Sequence, residues 1–125
     1  MVLIALGVND VKNGWRSKTW EAGYRALLMT VAEKFGQPRM CVSGMRPLRH
    51  FPLLPSPLSD VLGIRAERFD AILQQIAAER SDTVHLSMEF PLERENMASD
   101  GFHPSAKVYR EWAERAATVF DHPLP

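Results

Sequence analysis

Three things are scarce in this sequence of 125 residues: cysteine, an excess of one charge, and long apolar runs. Its single cysteine, Cys41, has no partner in the chain, which excludes a disulfide framework and a metal cluster of cysteines. The 15 Lys and Arg balance the 15 Asp and Glu, and no stretch concentrates the basic residues, which argues against a nucleic acid or an anionic membrane as a partner. No apolar run approaches the roughly 20 residues of a membrane span, and the run from Met1 to Leu6 is too short for the core of a signal peptide. We therefore expect a cytoplasmic protein with no nucleic-acid partner and no membrane span.

What the sequence does contain is the composition of a globular protein, with 46% apolar and 24% charged residues, at the length of one domain. The run from Val2 to Leu6 is continuously apolar and ends at Gly7, which is typical of a strand covered on both faces. The spacing of apolar residues predicts five further elements in alternating order: a helix from Trp20 to Phe35, a strand from Met40 to Met45, a helix with its apolar face from Leu62 to Ile76, a strand from Thr83 to Phe90, and a helix that Pro104 opens and that reaches Phe120. The expected caps are Ser17 or Thr19 for the first helix and Ser59 or Asp60 for the second.

This alternation predicts parallel strands joined by right-handed crossovers, with helices on the faces of the sheet. We therefore expect an α/β fold of flavodoxin-like, three-layer α/β/α architecture, in which three strands alternate with three helices. In sheets of this kind, ligands bind beyond the carboxyl ends of the strands. Three segments occupy that position: Asn9 and Asp10, the proline-rich loop that begins at Arg46, and the loop from Pro91 to His103.

The last of these loops ends with MASDGFHPSA, in which an aspartate and a histidine are three residues apart. On a turn that Gly101 permits, the Asp100 carboxylate can accept the Nδ1 proton of His103 and hold the ring in one tautomer, which makes the histidine a usable general base. The alternative is that Asp100 and Gly101 are ordinary turn residues and that His103 simply precedes the helix that Pro104 opens.

Asn9 follows the first predicted strand. A side-chain amide held at the end of a strand can donate an N–H to a developing oxyanion, which a carboxylate cannot do. The alternative is that Asn9 and Asp10 form a turn, because Asn and Asp commonly do so after a strand. Considered alone, Asn9 is weak evidence for a catalytic site.

Taken together, GVND at the end of a buried strand and DGFHPS before the last helix resemble the third and fifth sequence blocks of the SGNH (GDSL) hydrolase family. By this resemblance Asn9 would be an oxyanion-hole donor, His103 the base, and Asp100 its orienting partner in a Ser-His-Asp triad. The helix, strand, helix and strand between the two blocks also match the family layout. The resemblance implies that residues 1–125 are the C-terminal part of a single SGNH hydrolase domain, which acts on acyl or acetyl esters without a cofactor.

The family's first two blocks are missing from this sequence. The first block, Gly-Asp-Ser after an earlier strand, would supply the nucleophile, and the second would supply a glycine N–H to the oxyanion hole. None of the eight serines has such a setting, since Ser43 lies inside a predicted strand and Ser56 in the proline-rich loop. We therefore expect the isolated chain to have little or no esterase activity.

The missing nucleophile strand also has a physical consequence for the run from Val2 to Leu6. In the family, that strand would lie beside this one, so its absence leaves an edge with unpaired backbone groups and apolar side chains on both faces. Such an edge is a template for pairing with another chain. We expect either a homo-oligomer, formed by strand pairing or segment exchange, or complementation by an N-terminal segment.

Two other interpretations stay open at this point. The chain can be a non-catalytic remnant that acts as a binding or oligomerisation module, or a small α/β binding domain in which the two motifs are coincidental. His50 and His85 lack neighbours at metal-ligand spacing, so we expect no metal site. His85 lies on the polar side of a strand whose alternation predicts one better-buried face, where it is either exposed or hydrogen-bonded.

Overall fold

The computed structural model describes residues 1–49, 54–90, 94–100 and 103–122. Three strands form one parallel sheet in the order β1, β2, β3: β1 is Val2–Ile4, β2 is Met40–Ser43, and β3 is Thr83–Leu86. The described helices are α1 (Val8–Lys12), α2 (Ser17–Lys34), α3 (Leu58–Ala78) and α4 (Ala106–Asp121), and a short 3₁₀ turn covers Arg94–Asn96. The predicted α/β class and the parallel sheet are confirmed.

The register of the sheet sorts the side chains of β2 onto two covered faces. Met40 pairs with Val2 on one side and with Thr83 on the other, and Val42 pairs with Ile4. Met40 and Val42 belong to a large core with α1, α2 and α3, whereas the intervening Cys41 packs on the opposite face with α4. Successive side chains of a strand point to opposite faces, and both faces of β2 are covered. All four residues of β2 are therefore buried, which explains the apolar run from Met40 to Val42.

The larger core is organised around aromatic residues of α2 and α3. The Trp20 and Phe69 rings stack with their centroids 4.4 Å apart, and Tyr24 lies 5.1 Å from Trp20. Leu28 of α2 and Leu73 of α3 are fully buried among them. Burial of each such side chain stabilises the fold by about 1.5–3 kcal/mol, so this face supplies most of the apolar driving force for folding.

The opposite face is covered only in part. Ala116 of α4 packs against Cys41 and Leu86, while Leu3 on the same face of β1 is 36% exposed. Helix α4 therefore covers β2 and β3 and leaves β1 open on this side. Burial raises the pKa of the Cys41 thiol to about 11, so the thiol stays protonated at neutral pH.

The strands are shorter than the sequence predicts, and a helix is added. Strand β1 ends at Ile4 rather than Leu6 because Gly7, at φ +127°, turns the chain into α1. The other two strands end at Ser43 rather than Met45 and at Leu86 rather than Phe90. The three predicted helices are present as α2, α3 and α4, and α1 is an additional short helix at residues for which no helix was predicted.

The predicted helix starts also need correction. Helix α2 begins at Ser17 after Arg16, without a side-chain cap, and α3 begins at Leu58, so that Ser59 and Asp60 lie in its first turn. Helix α4 is capped by Ser105, whose Oγ accepts the backbone N–H of Val108 at 3.4 Å, and Pro104 precedes that cap. Three residues whose spacing predicts a place on an apolar helix face are exposed: Phe35 at 68%, Tyr109 at 51%, and Ala113. None of the described helices is long and apolar enough to cross a membrane.

Candidate active site

One cavity lies beyond the carboxyl ends of β1 and β2, where the fold class predicts a ligand site. Its volume is about 530 Å³. The residues that line it come from the β1–α1 turn, the end of β2, the segment after β3 and the start of α4: Ala5 to Asp10, Ser43 to Arg46, Met88, His103, Pro104, Tyr109 and Trp112. Two of the three predicted site residues, Asn9 and His103, thus share one cavity.

The third predicted site residue, Asp100, is hydrogen-bonded to His103. Its Oδ2 is hydrogen-bonded to Nδ1 of His103, and its Oδ1 accepts the His103 backbone N–H at 2.9 Å. A proton on Nδ1 leaves Nε2 as the acceptor, which is the tautomer that a general base requires. The two side chains are 49% and 64% exposed, so this pair contributes little to stability and acts mainly on the orientation of the ring. Gly101, the predicted turn residue, lies outside the described residues.

The backbone on both sides of Asp100 and His103 is held by hydrogen bonds. Met97 and Pro104 form an antiparallel bridge, and the Ala98 N–H donates to the His103 carbonyl at 2.8 Å. The Ser105 N–H donates to the carbonyl of Asn96 at 3.0 Å, immediately before α4 begins. The histidine is therefore presented by a closed loop at the N-terminus of α4, and the loop is anchored at its base.

Asn9 is presented by α1, not by the end of an extended strand as the sequence predicts. It lies in the first turn of this helix, and its side chain is exposed to the cavity. The helix is fixed to α2 by the next residue, Asp10, whose Oδ2 accepts the indole N–H of Trp20 at 3.0 Å. Gly7, which precedes this first turn, packs closely against Met45, since a Cβ at Gly7 would lie 2.1 Å from the terminal methyl carbon of Met45.

Ser43 is a serine that lines the same cavity. It is 4% exposed, and its Oγ accepts the indole N–H of Trp112 at 3.2 Å. This contact holds α4 against the carboxyl end of β2. In the wall of the cavity, Ser43 therefore has a structural role as the hydrogen-bond acceptor of Trp112.

Behind the cavity lies a second histidine and aspartate pair, which the sequence does not reveal. His85 Nε2 is 2.9 Å from Asp70 Oδ1, the same oxygen accepts the Met45 backbone N–H at 2.8 Å, and Gln74 Nε2 donates to Oδ2 at 2.7 Å. Burial opposes ionisation of Asp70, but the hydrogen bonds from His85, Met45 and Gln74 outweigh it and lower the pKa of the carboxyl below its ordinary value. His85 is thus hydrogen-bonded on β3, on a face that is itself covered by α3.

The Asp70 carboxylate holds the chain where it leaves β2. Gly44 lies against it so closely that a Cβ would be 2.4 Å from Asp70 Oδ1 and 2.7 Å from His85 Nε2. The Gly44 N–H still donates to the Leu86 carbonyl at 2.7 Å, so the backbone stays next to β3 after the strand has ended. The pair therefore supports the segment that forms one wall of the cavity.

Within the four ranges that the structure describes, no three His, Cys, Asp or Glu side chains are grouped so that they could hold a metal ion. His50 lies outside those ranges, and His85 is engaged by Asp70.

A sequence model of the GDSL-like Lipase/Acylhydrolase family matches residues 1–111. The matched range contains Asn9, Asp100 and His103 and ends within α4. No curated protein matches the chain.

Proposed function

The chain belongs to the GDSL-like Lipase/Acylhydrolase family, and from this membership we propose that it hydrolyses acyl or acetyl esters by Ser-His-Asp chemistry. The observation that carries the proposal is the cavity that Asn9 and His103 line together, with Asp100 hydrogen-bonded to the histidine. A base, its orienting carboxylate and an amide donor are the groups that ester hydrolysis needs besides the nucleophile.

In the proposed mechanism, a serine hydroxyl attacks the ester carbonyl while Nε2 of His103 takes its proton. Asp100 holds the ring through Nδ1 and stabilises the imidazolium that forms. The side-chain N–H of Asn9 donates to the oxyanion of the tetrahedral intermediate. His103 then returns the proton to the departing alcohol, and water, activated by the same histidine, releases the carboxylic acid from the acyl-enzyme.

The nucleophile in this proposal comes from a segment other than these 125 residues. The sequence contains no Gly-Asp-Ser, and the serine that lines the cavity, Ser43, is buried and accepts the Trp112 indole N–H. Without a nucleophile, a triad enzyme keeps roughly 10³–10⁴-fold acceleration over water, supplied by binding and the oxyanion hole. We therefore expect the chain alone to have little or no esterase activity.

We further propose that the open edge of β1 is where the missing strand pairs. In the described sheet β1 has β2 as its single neighbour, and the apolar side chains of Leu3 and Leu6 near this edge are 36% and 56% exposed. An N-terminal segment of the same domain or a second copy of this chain would cover Leu3 and Leu6, and a stable monomer in sedimentation at micromolar concentration would argue against both.

Hydrolysis of p-nitrophenyl acetate by homogeneous chain tests the proposal. We expect no turnover above buffer from the chain alone, and turnover once an upstream segment with Gly-Asp-Ser is supplied as an extension or a separate peptide. That turnover should be lost in His103→Ala and reduced in Asn9→Ala, since each removes one group of the mechanism. Turnover that His103→Ala leaves unchanged would exclude the proposed mechanism.

Activity of the isolated chain would have a different meaning. If it occurs and is abolished by both His103→Ala and Ser43→Ala, the nucleophile is Ser43, and only the proposed origin of the nucleophile is wrong.

A non-catalytic binding or oligomerisation module is the second candidate. The observation that favours it is the absence of Gly-Asp-Ser beside an otherwise assembled cavity. The coding sequence upstream of Met1 distinguishes the two. A Gly-Asp-Ser at the end of a strand within about half a domain upstream supports the enzyme, and a genuine start at Met1 supports the binding module.

A further inference from the structure

A second cavity, of about 300 Å³, lies between the start of α2 and the middle of α3. It is lined by Arg16 and Ser17, where α2 begins, and by Ile64, Arg65, Arg68 and Phe69 of α3. Three of these six described residues are arginines and none of the six is acidic, so we call this site the arginine cavity. Because residue 16 is far from residues 65 and 68 in the sequence, the fold, and not a basic stretch, brings the three charges together.

Arg65 is held in the cavity by neutral partners. Its Nε donates to the Val11 carbonyl at 3.1 Å, and its Nη2 donates to the Trp15 carbonyl at 2.6 Å, which keeps the residue before Arg16 against α3. The guanidinium carbon lies 5.5 Å from the centre of the Phe69 ring. The two hydrogen bonds use two of the five N–H groups of the guanidinium, and none of these partners carries a negative charge. The cavity therefore contains a positive charge in a fixed position, and fixed donors bind a ligand at a lower entropic cost than donors that must be ordered first.

Arg16 and Arg68 add two further positive charges. Both are exposed, and neither forms a hydrogen bond or an ion pair with any residue in the four described ranges. The nearby carboxylate of Glu67 is paired with Arg49 at 3.4 Å. Arg65 and Arg68 are three residues apart on α3 and share a face of the helix, where like charges repel each other. An anion in the cavity would relieve this repulsion.

We propose that the arginine cavity binds a phosphate dianion, either inorganic phosphate or the phosphate group of a small phosphomonoester. Guanidinium groups match phosphate oxygens with paired, charge-assisted N–H···O bonds. A dianion is favoured over a carboxylate because three positive charges act on the ligand, and a second negative charge adds to the attraction from each of them. Ile64, which is 57% exposed, offers an apolar contact to the organic part of a phosphomonoester. The proposal does not rest on ester hydrolysis, because the described lining residues of this cavity and of the candidate active site are all different.

The test compares two ligands that share a phenyl ring and a tetrahedral anionic group but differ in charge. Phenyl phosphate is a dianion at about pH 8, and benzenesulfonate is a monoanion. Each is titrated into ¹⁵N-labelled full chain at constant ionic strength, because salt screens exposed charges. Binding is followed at the backbone N–H of Ser17, which lines the arginine cavity, and at the indole N–H of Trp112, which lines the other cavity. We expect the dissociation constant of phenyl phosphate to be lower by roughly tenfold, with the change in chemical shift at Ser17 and not at Trp112.

Inorganic phosphate, titrated in the same way, identifies the source of the phosphate group. A dissociation constant several times higher than that of phenyl phosphate assigns the cavity to a phosphomonoester whose organic part also contacts Ile64. An equal or lower constant assigns it to inorganic phosphate. Both results support a phosphate dianion as the ligand.

Arg16→Gln and Arg68→Gln test the arginines directly, because both side chains are exposed and their removal leaves the core intact. Each should raise the dissociation constant of phenyl phosphate by roughly three- to tenfold, since one hydrogen-bonding cation is lost. Arg110→Gln is the matched control. It removes the same charge from an exposed position of α4, which packs on the opposite face of the sheet, and it should leave the constant unchanged.

Three results would overturn the proposal. The first is equal affinity of the wild-type chain for phenyl phosphate and benzenesulfonate. The second is a shift at Trp112 without one at Ser17, or no shift at Ser17 at tens of millimolar ligand. The third is an effect of Arg110→Gln as large as that of Arg68→Gln, which would assign the binding to the net charge of the chain. The first two are measured on the wild-type chain, so they decide the question even where a variant fails to fold.

Discussion

Gly44→Ala is expected to destabilise the fold strongly, although it adds a single methyl group. The new Cβ would lie 2.4 Å from Asp70 Oδ1 and 2.7 Å from His85 Nε2, distances at which one of these atoms must move. Oδ1 is the end of a side chain, but it is held by hydrogen bonds of 2.8 Å from Met45 and 2.9 Å from His85. The substitution therefore forces either the backbone or this hydrogen-bonded pair apart.

The magnitude follows from the bonds that would be lost. A hydrogen bond to a charged group contributes about 1.5–3 kcal/mol, and an extra carbon in a packed site costs about 1–3 kcal/mol. Because Asp70 and His85 keep side-chain exposures of 23% and 15%, water can replace part of what is lost. We expect a decrease of about 2–4 kcal/mol in the free energy of unfolding, measured by urea denaturation at one fixed protein concentration.

Gly23→Ala provides the matched control. This glycine lies inside α2, and a Cβ there would have no heavy atom within 4 Å apart from its chain neighbours and the backbone of its own helix. The same chemical change should therefore stabilise the protein, by about 0.5–1 kcal/mol, through the higher helix propensity of alanine. If Gly44→Ala unfolds at the same urea concentration as the wild type while Gly23→Ala behaves as expected, the reasoning about the Asp70 and His85 pair is wrong.

Three further predictions concern single groups. The pKa of Asp70 is lower in the folded than in the unfolded chain. Its contribution to the free energy of unfolding is therefore complete above the ordinary carboxyl pKa and is lost as the pH falls through the lowered value. In the variant Asp70→Asn, the free energy of unfolding should depend less on pH in the acid range. Cys41 is fully buried with a pKa raised to about 11, so Ellman's reagent should react with it slowly in the native state and rapidly in urea, and fast native labelling would contradict its place beneath α4. Ser105→Ala removes the cap that accepts the Val108 N–H and should lower the free energy of unfolding by about 1 kcal/mol, whereas Ser105→Asp should retain most of it.

The sequence predicts the order and type of the main elements well, because those depend on local spacing. It overestimates the lengths of the strands, since an apolar side chain beyond Ile4 or Ser43 carries no sign that the backbone has left the sheet. Helix α1 is missed because five residues are too few to show a helical period, and the glycine before it suggests a turn. Predicting burial at Phe35 fails for another reason, since apolar spacing cannot tell which positions another element covers.

The candidate site, like the fold, can be predicted from the sequence only where the contacts are local. Asp100 and His103 are three residues apart, so their contact can be predicted from the sequence, and the hydrogen bond is present. Asn9 and His103 meet only through the fold, and only a family resemblance brings them together in the sequence. The Asp70 and His85 pair and the place of Arg46 in the cavity have no local signal, because each depends on contacts between different elements.

The packing of Gly7 against Met45 has a consequence for how this chain can vary. Any side chain at residue 7 meets two separate obstacles, a backbone at φ +127° and the methyl group of Met45 only 2.1 Å away. Gly36, at φ +69°, meets only the first, and asparagine commonly adopts that conformation. In a saturation library, Gly36 should therefore accept asparagine, whereas Gly7 should accept no substitution even when Met45 is shortened. Residue 7, at the start of α1, is therefore a position at which we expect no single substitution to be tolerated. The placement of Asn9 depends on this position.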